Sequence, residues 1–273
     1  MNDRRFRFGV VAAPDRGAAQ WQATARRVAE LGYSTLLMPD GLQLLSPFPA
    51  LAAAAGAAEV RVGTFVAAAP LRPPRSAAWE AHTLSVLTDG RFEFGLGAGR
   101  PAVEEFAGEL GLPFGSAKER LNQVSQTLDH LLNLDGDRHT PVLLAAGGPR
   151  SRTLAATRAD IVTLAATALT PRAEVAEMAL DLRAKAGERA DEIELAMNLF
   201  AVGDELPPWT AQATGADPAA LIEQDSLMLL RGSVQEMIDE LQRRRDEFGS
   251  SYITVNSAYL EHLAPVVEEL TGH

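Results

Sequence analysis

The sequence predicts an α/β fold, a (β/α)8 barrel, on three observations. Eight short runs of mostly apolar residues recur along the chain, the pattern of strands buried on both faces. A stretch with helical spacing of apolar residues separates each run from the next. The length, 273 residues, is close to the roughly 250 typical of such barrels. A doubly wound open sheet shares the alternation, but the count of eight favours the closed form. No linker-like shift in composition interrupts the rhythm, so residues 1–273 read as a single domain.

The elements follow in order. "FRFGVVA" (6–12) is the first strand. Trp21, Ala25, Val28 and Leu31 then mark one helical face, and Gly32 is placed to stop it. "STLLMP" (34–39) is the second strand, and the alanine-rich helix behind it ends near Ala58. "VRVGTFVA" (60–67) is the third, with a helix beginning after the "LRPPR" turn at 71–75. "RFEFGLG" (91–97) is the fourth. Ser116 and Glu119 form a capping-box pattern, and Leu121, Val124, Leu128 and Leu131 line the helix behind it.

"PVLLAA" (141–146) and "ADIVTLA" (159–165) are strands five and six, joined by a short helix. Thr170-Pro171 starts another helix, with Val175, Met178, Ala179 and Leu182 on its apolar side. "IELAMNLFAV" (193–202) is strand seven. An irregular stretch, 203–218, breaks the rhythm before a second capping box, Ser233 and Glu236. "SYITVN" (251–256) is strand eight, and an amphipathic helix closes the chain.

Bulk properties exclude several function classes. A formal net charge of -11 argues against nucleic-acid binding, which calls for a basic face. The absence of cysteine removes disulfide scaffolds, thiolate metal sites and thiol catalysis. No run reaches the roughly 18 apolar residues of a membrane span. The expectation is a cytoplasmic protein with a small-molecule substrate, no metal and no membrane or nucleic-acid partner.

Two glycine clusters stand out. "RFEFGLGAGR" (91–100) spaces its glycines G-x-G-x-G on the fourth strand, whereas a dinucleotide fingerprint needs G-x-G-x-x-G after the first. Gly97 and Gly99 then serve either the exit from a crowded strand end or the close approach of a flat ligand, and the barrel mouth favours the ligand. In "AAGGPRSRTL" (145–154), Gly147 and Gly148 precede a helix start with Arg150, Ser151 and Arg152. Free N–H groups, small residues and cations together suit a phosphate, with Ser151 as a helix cap.

In this order the pieces resemble the bacterial luciferase-like flavin and deazaflavin oxidoreductases. Four stretches carry the likeness: "RRVAELGYSTLLMPD" (26–40), "VRVGTFVAAAPLRPP" with "TLSVLTDGRFEFGLGAGR" (60–74 and 83–100), "LLAAGGPRSRTLAATRADIV" (143–162), and "LRGSVQEMIDELQRRRDEFGSSYITV" (230–255). The nearest branch uses coenzyme F-420, an 8-hydroxy-5-deazaflavin; FMN users share the pattern. The resemblance implies a tricyclic ring at the C-terminal mouth of the barrel and, commonly, a homodimer. By position it puts Asp40 at the ring's edge and Gly97, Ala98 and Gly99 beside the ring. It aligns Phe65 and Val66 with a non-prolyl cis peptide behind the ring, and Gly147, Gly148 and Arg150 with the phosphate turn.

Three departures bear on chemistry. The family's Asp-His pair after strand two reads Asp40-Gly41 here. The residue after "GAG" is Arg100, and the segment 132–141 is short where relatives insert a hairpin. The remaining candidates for proton transfer or anion binding are Arg100, Glu104 (with Glu105 beside it) and His82, the last among apolar neighbours on a helix. The leading expectation is hydride transfer between reduced F-420 and a hydrophobic organic substrate. The alternatives are an FMN-dependent monooxygenase and a non-catalytic or cofactor-binding relative.

Overall fold

Eight parallel strands close on themselves in the computed structural model, which describes residues 4–273. They are β1 (Arg7–Val11), β2 (Thr35–Met38), β3 (Arg61–Thr64), β4 (Phe92–Gly97), β5 (Val142–Ala146), β6 (Ile161–Leu164), β7 (Glu194–Leu199) and β8 (Ser250–Asn256). Each pairs with its successor, and β8 returns to β1 with Val255 opposite Val10, which closes the ring. All eight predicted runs are strands of the barrel.

The surrounding helices are α1 (Ala18–Glu30), α2 (Pro47–Ala55), α3 (Pro74–Leu87), α4 (Val103–Glu109), α5 (Ala117–Asp135), α6 (Pro149–Arg158) and α7 (Arg172–Ala186). After β7 come the short α8 (Trp209–Thr214) and α9 (Pro218–Glu223), then α10 (Val234–Phe248) and α11 (Leu260–Leu270). Both capping boxes form as predicted, with Ser116 and Ser233 accepting from the N–H groups of Glu119 and Glu236. The stretch read as irregular contains α8 and ends at the first residue of α9, and neither α9 nor α4 was anticipated. These are one- to two-turn helices, too short to show periodicity. Among the described residues no helix is long and apolar enough to cross a membrane.

Strand alternation sorts the core into an outer layer and an interior. Outward residues such as Val10, Leu36, Phe92, Phe94 and Leu144 pack under the helices in the main apolar cluster. Inside, Leu37, Leu143, Ile161, Ala196 and Tyr252 form a second cluster. Below it, at the N-terminal ends of the strands, Arg7 spans Glu93 at 2.7 Å and Glu194 at 2.6 Å. Arg61 adds a second cation to Glu93 at 2.9 Å, and Arg7 lies 3.5 Å over the Tyr252 ring. Burial pulls the Arg7 pKa down, and the opposing attraction of Tyr252, Glu93 and Glu194 raises it overall, so the guanidinium stays charged. This paired base plugs the barrel and leaves the C-terminal ends as its open side.

Candidate functional site

The glycines of β4 are required by their neighbours. A Cβ at Gly97 would lie 3.0 Å from Val66 and 3.5 Å from Ala145, and one at Gly95 would collide with the Thr64 carbonyl. Gly99 has φ +79°, a conformation that side chains disfavour. Packing and turn geometry therefore account for these positions on their own, without the ligand that the sequence reading favoured. The third strand's run is interrupted where expected: the Phe65-Val66 peptide is cis, and Ala67 and Ala68 then pair with Leu96 and Gly97. Ala98 is held from below by Arg120, whose Nε donates to its carbonyl at 2.9 Å while the guanidinium covers Phe114 at 4.1 Å.

Asp40 is enclosed. Its Oδ2 accepts from Arg72 Nη1 at 2.5 Å and from the Ala68 N–H at 3.1 Å, and Oδ1 accepts from Arg72 Nη2 at 3.2 Å. Only 4% of its side chain is exposed, so it braces the segment after the cis peptide and offers little surface to a ring edge. Arg72 also approaches Glu80 at 3.2 Å; burial raises the Glu80 pKa against the pull of Arg72, and Asp40 adds to the rise. At Gly41 a Cβ would fall 2.5 Å from the Gln43 Oε1. The Gln43 amide thus occupies the space beside Gly41 that a side chain at this position would enter.

The second glycine turn keeps its anion-binding features in part. Gly148 is the N-cap of α6, with Pro149 at the first helical position and no side-chain cap. Ser151 does not cap the helix; its hydroxyl donates to the Gly148 carbonyl at 2.8 Å. The N–H groups of Arg150 and Ser151 are therefore left without intrahelical partners, as at any helix start. Arg150 is exposed beside them. Arg152 is withdrawn, because its Nε donates to Asp181 at 2.6 Å and its Nη1 is bound by the Gly147 carbonyl. Position 147 leaves no room for a side chain, since a Cβ would lie 3.0 Å from the Ala165 carbonyl.

The three proton-transfer candidates are not brought together. His82 Nδ1 lies 2.7 Å from Asp135 Oδ1, between α3 and α5. Asp135 ends α5 and accepts from the Thr140 N–H just before β5, so this pair sits at the closed end of the barrel. Arg100 and Glu104 are exposed in the loop after β4 and the first turn of α4. No cluster of three metal-binding side chains occurs among the described residues.

A polar group on the opposite wall escaped the sequence reading. Thr163, Asn198 and Thr254 end β6, β7 and β8 on the interior face, and Thr254 Oγ1 donates to Asn198 Oδ1 at 2.8 Å. Their signal was a polar letter at the inward position near the end of each of three apolar runs. Trp209, within the stretch read as irregular, packs on Tyr259 with ring centroids 6.0 Å apart and docks α8 over this side.

The donor set at Gly148 and Arg150, the side-chain-poor wall at Gly97 and Ala145, and the polar wall at Asn198 share one end of the barrel. Comparison with solved structures gives the same architecture. The coenzyme F-420-dependent tetrahydromethanopterin reductase from Methanopyrus kandleri aligns at TM-score 0.73 and 16% identity, over 98% of this chain and 99% of that one. An F-420-dependent secondary alcohol dehydrogenase aligns at TM-score 0.79 and 15% identity, over 98% and 99%. A monooxygenase from Streptomyces bottropensis aligns at TM-score 0.68 and 18% identity, over 96% of both chains. At such identities the likeness shows the fold. No curated protein matches the sequence. The family model for luciferase-like monooxygenases matches residues 6–208, from just before β1 to the edge of α8, and the chain belongs to that family.

Proposed function

We propose that the protein is an oxidoreductase that binds coenzyme F-420 at the barrel mouth and moves a hydride between it and a small apolar substrate. The observation that carries this reading is the uncapped start of α6, with exposed Arg150, at the same barrel end as the side-chain-poor wall of β4 and β5. Two of the structural neighbours are F-420-dependent by name, which supports the deazaflavin over other tricycles.

When bound, the coenzyme supplies the two-electron hydride chemistry. The chain's own residues bind and orient. The N–H groups of Arg150 and Ser151, with the Arg150 guanidinium, hold phosphate. Gly97, Ala98 and Gly99, braced by Arg120, and the Phe65-Val66 turn, braced by Asp40 through Ala68, shape the wall for a flat ring. Asn198 and Thr163 offer hydrogen bonds from the opposite wall. Arg100, out in solvent, is placed to meet an anionic group at the rim, and neither it nor the exposed Glu104 is placed to shuttle a buried proton.

An FMN-dependent monooxygenase is the second reading, favoured by the family's description and by the monooxygenase neighbour. A non-catalytic relative is the third, motivated by Gly41. Titration with F-420 and with FMN, followed by fluorescence, separates the three. Micromolar binding of F-420 with FMN at least tenfold weaker supports the first reading, the reverse supports the second, and binding of neither sinks both. The same reading includes a homodimer, supported by an exposed stripe on α3 in which Trp79 and Leu87 are 66% and 70% exposed. Sedimentation at the monomer mass would remove that part.

A further inference from the structure

The β6–β7 ladder stops at Thr163 opposite Ala196, whereas β7 continues to pair with β8 as far as Leu199 opposite Val255. A small crevice, partly open to solvent, lies beside the end of this ladder. Its lining comes from both faces of the wall. Thr163 and Asn198 reach it from the barrel interior; Leu164, Met197, Val175 and Met228 reach it from the helix layer. The outward direction of Met197 is fixed by its sulfur, 3.5 Å from Arg244 Nη1 on α10.

Two polar groups in this crevice lack partners. The Ser250 hydroxyl is buried, in a residue 2% exposed, and makes no hydrogen bond. The Asn198 amide is held on its oxygen edge by Thr254, and among the described residues its nitrogen has no acceptor. No charged side chain lines the crevice. An amide N–H without an acceptor gains a hydrogen bond from a ligand oxygen, while the apolar lining rejects an ion.

We infer that this crevice binds a neutral, apolar molecule carrying one oxygen that accepts a hydrogen bond from the Asn198 amide. As a substrate pocket it rests on the function proposed above, since Asn198 and Thr163 link it to the mouth; as a binding site it stands independently.

Methionine-methyl NMR tests it, with cyclohexanone as the probe and cyclohexanecarboxylate as its charged counterpart. Met197 and Met228 line the crevice, while Met38, Met178 and Met237 lie elsewhere and serve as controls. Cyclohexanone is expected to shift Met197 and Met228 saturably and selectively, and the carboxylate to leave them in place. Val175→Phe, or Ala166→Phe if the buried substitution prevents folding, is expected to weaken binding at least tenfold, and Asn198→Leu at least fivefold. Absence of saturable shifts, or equal shifts at the control methionines, overturns the inference. Titrating the same samples with F-420 and FMN keeps the two proposals apart. Cyclohexanone binding without coenzyme binding removes the cofactor reading alone, and coenzyme binding without crevice shifts removes the crevice alone.

Discussion

Asp40, which the resemblance puts at a ring's edge, is held by contacts that the sequence did not show. Its position at the end of β2 was legible, but the partner that encloses it, Arg72, lies 32 positions away on the far side of β3. Long-range pairing of this kind leaves no local trace. The pair is nearly buried, so removing one member leaves the other cation short of its counter-charge and the Ala68 N–H without its acceptor. Asp40→Ala is expected to cost about 3 kcal/mol in chemical denaturation, and an unchanged midpoint would show that Glu80 and water replace it fully. Gly41 carries a related lesson. The glycine at position 41 was visible in the sequence, but the Gln43 amide that crowds it was not. Because that amide is the end of a flexible side chain, the space remains available to a larger residue at 41.

At the level of elements, what is local was legible. Both capping boxes lie within four consecutive residues, so residue types alone predicted them. Ser233→Ala is expected to cost about 1 kcal/mol of stability at neutral pH. The loss should shrink in acid. Hydrogen bonds from the Ser233 backbone and hydroxyl hold the Glu236 carboxyl below its ordinary range. A depressed folded pKa stabilises the protein above the unfolded value, and that contribution disappears as pH falls through the folded one. Thermal melts of wild type and variant at neutral and acid pH check the convergence; a pH-independent gap would mean that the carboxylate contributes nothing. The short helices after β7 were missed although one carried a signal: Asp217 caps α9 with Pro218 at its first position. α4 had none, since it buries only Ala107 and has no side-chain cap.

On the scale of the whole molecule, the barrel was legible because its strands are buried on both faces and its count is eight. Closure itself was not, since the β8–β1 ladder joins opposite ends of the chain. The same long-range placement decides the site. It brings α6 to the end where Gly97 and Asn198 meet, and it carries His82 to the other end with Asp135. The candidate phosphate turn was therefore found from local glycines, while the polar wall opposite it emerged only when β6, β7 and β8 were seen side by side. In the function proposed here, this end of the barrel holds a phosphate-bearing tricycle with its phosphate at the start of α6. The most direct measurement is the dissociation constant of F-420 and of FMN for the wild-type protein and for Gly148→Asp, with melting curves recorded on both. The account predicts micromolar binding of one coenzyme, weakened at least tenfold by the added carboxylate while the fold stays intact. Equal affinity in the variant, or no binding to the wild type, would contradict it.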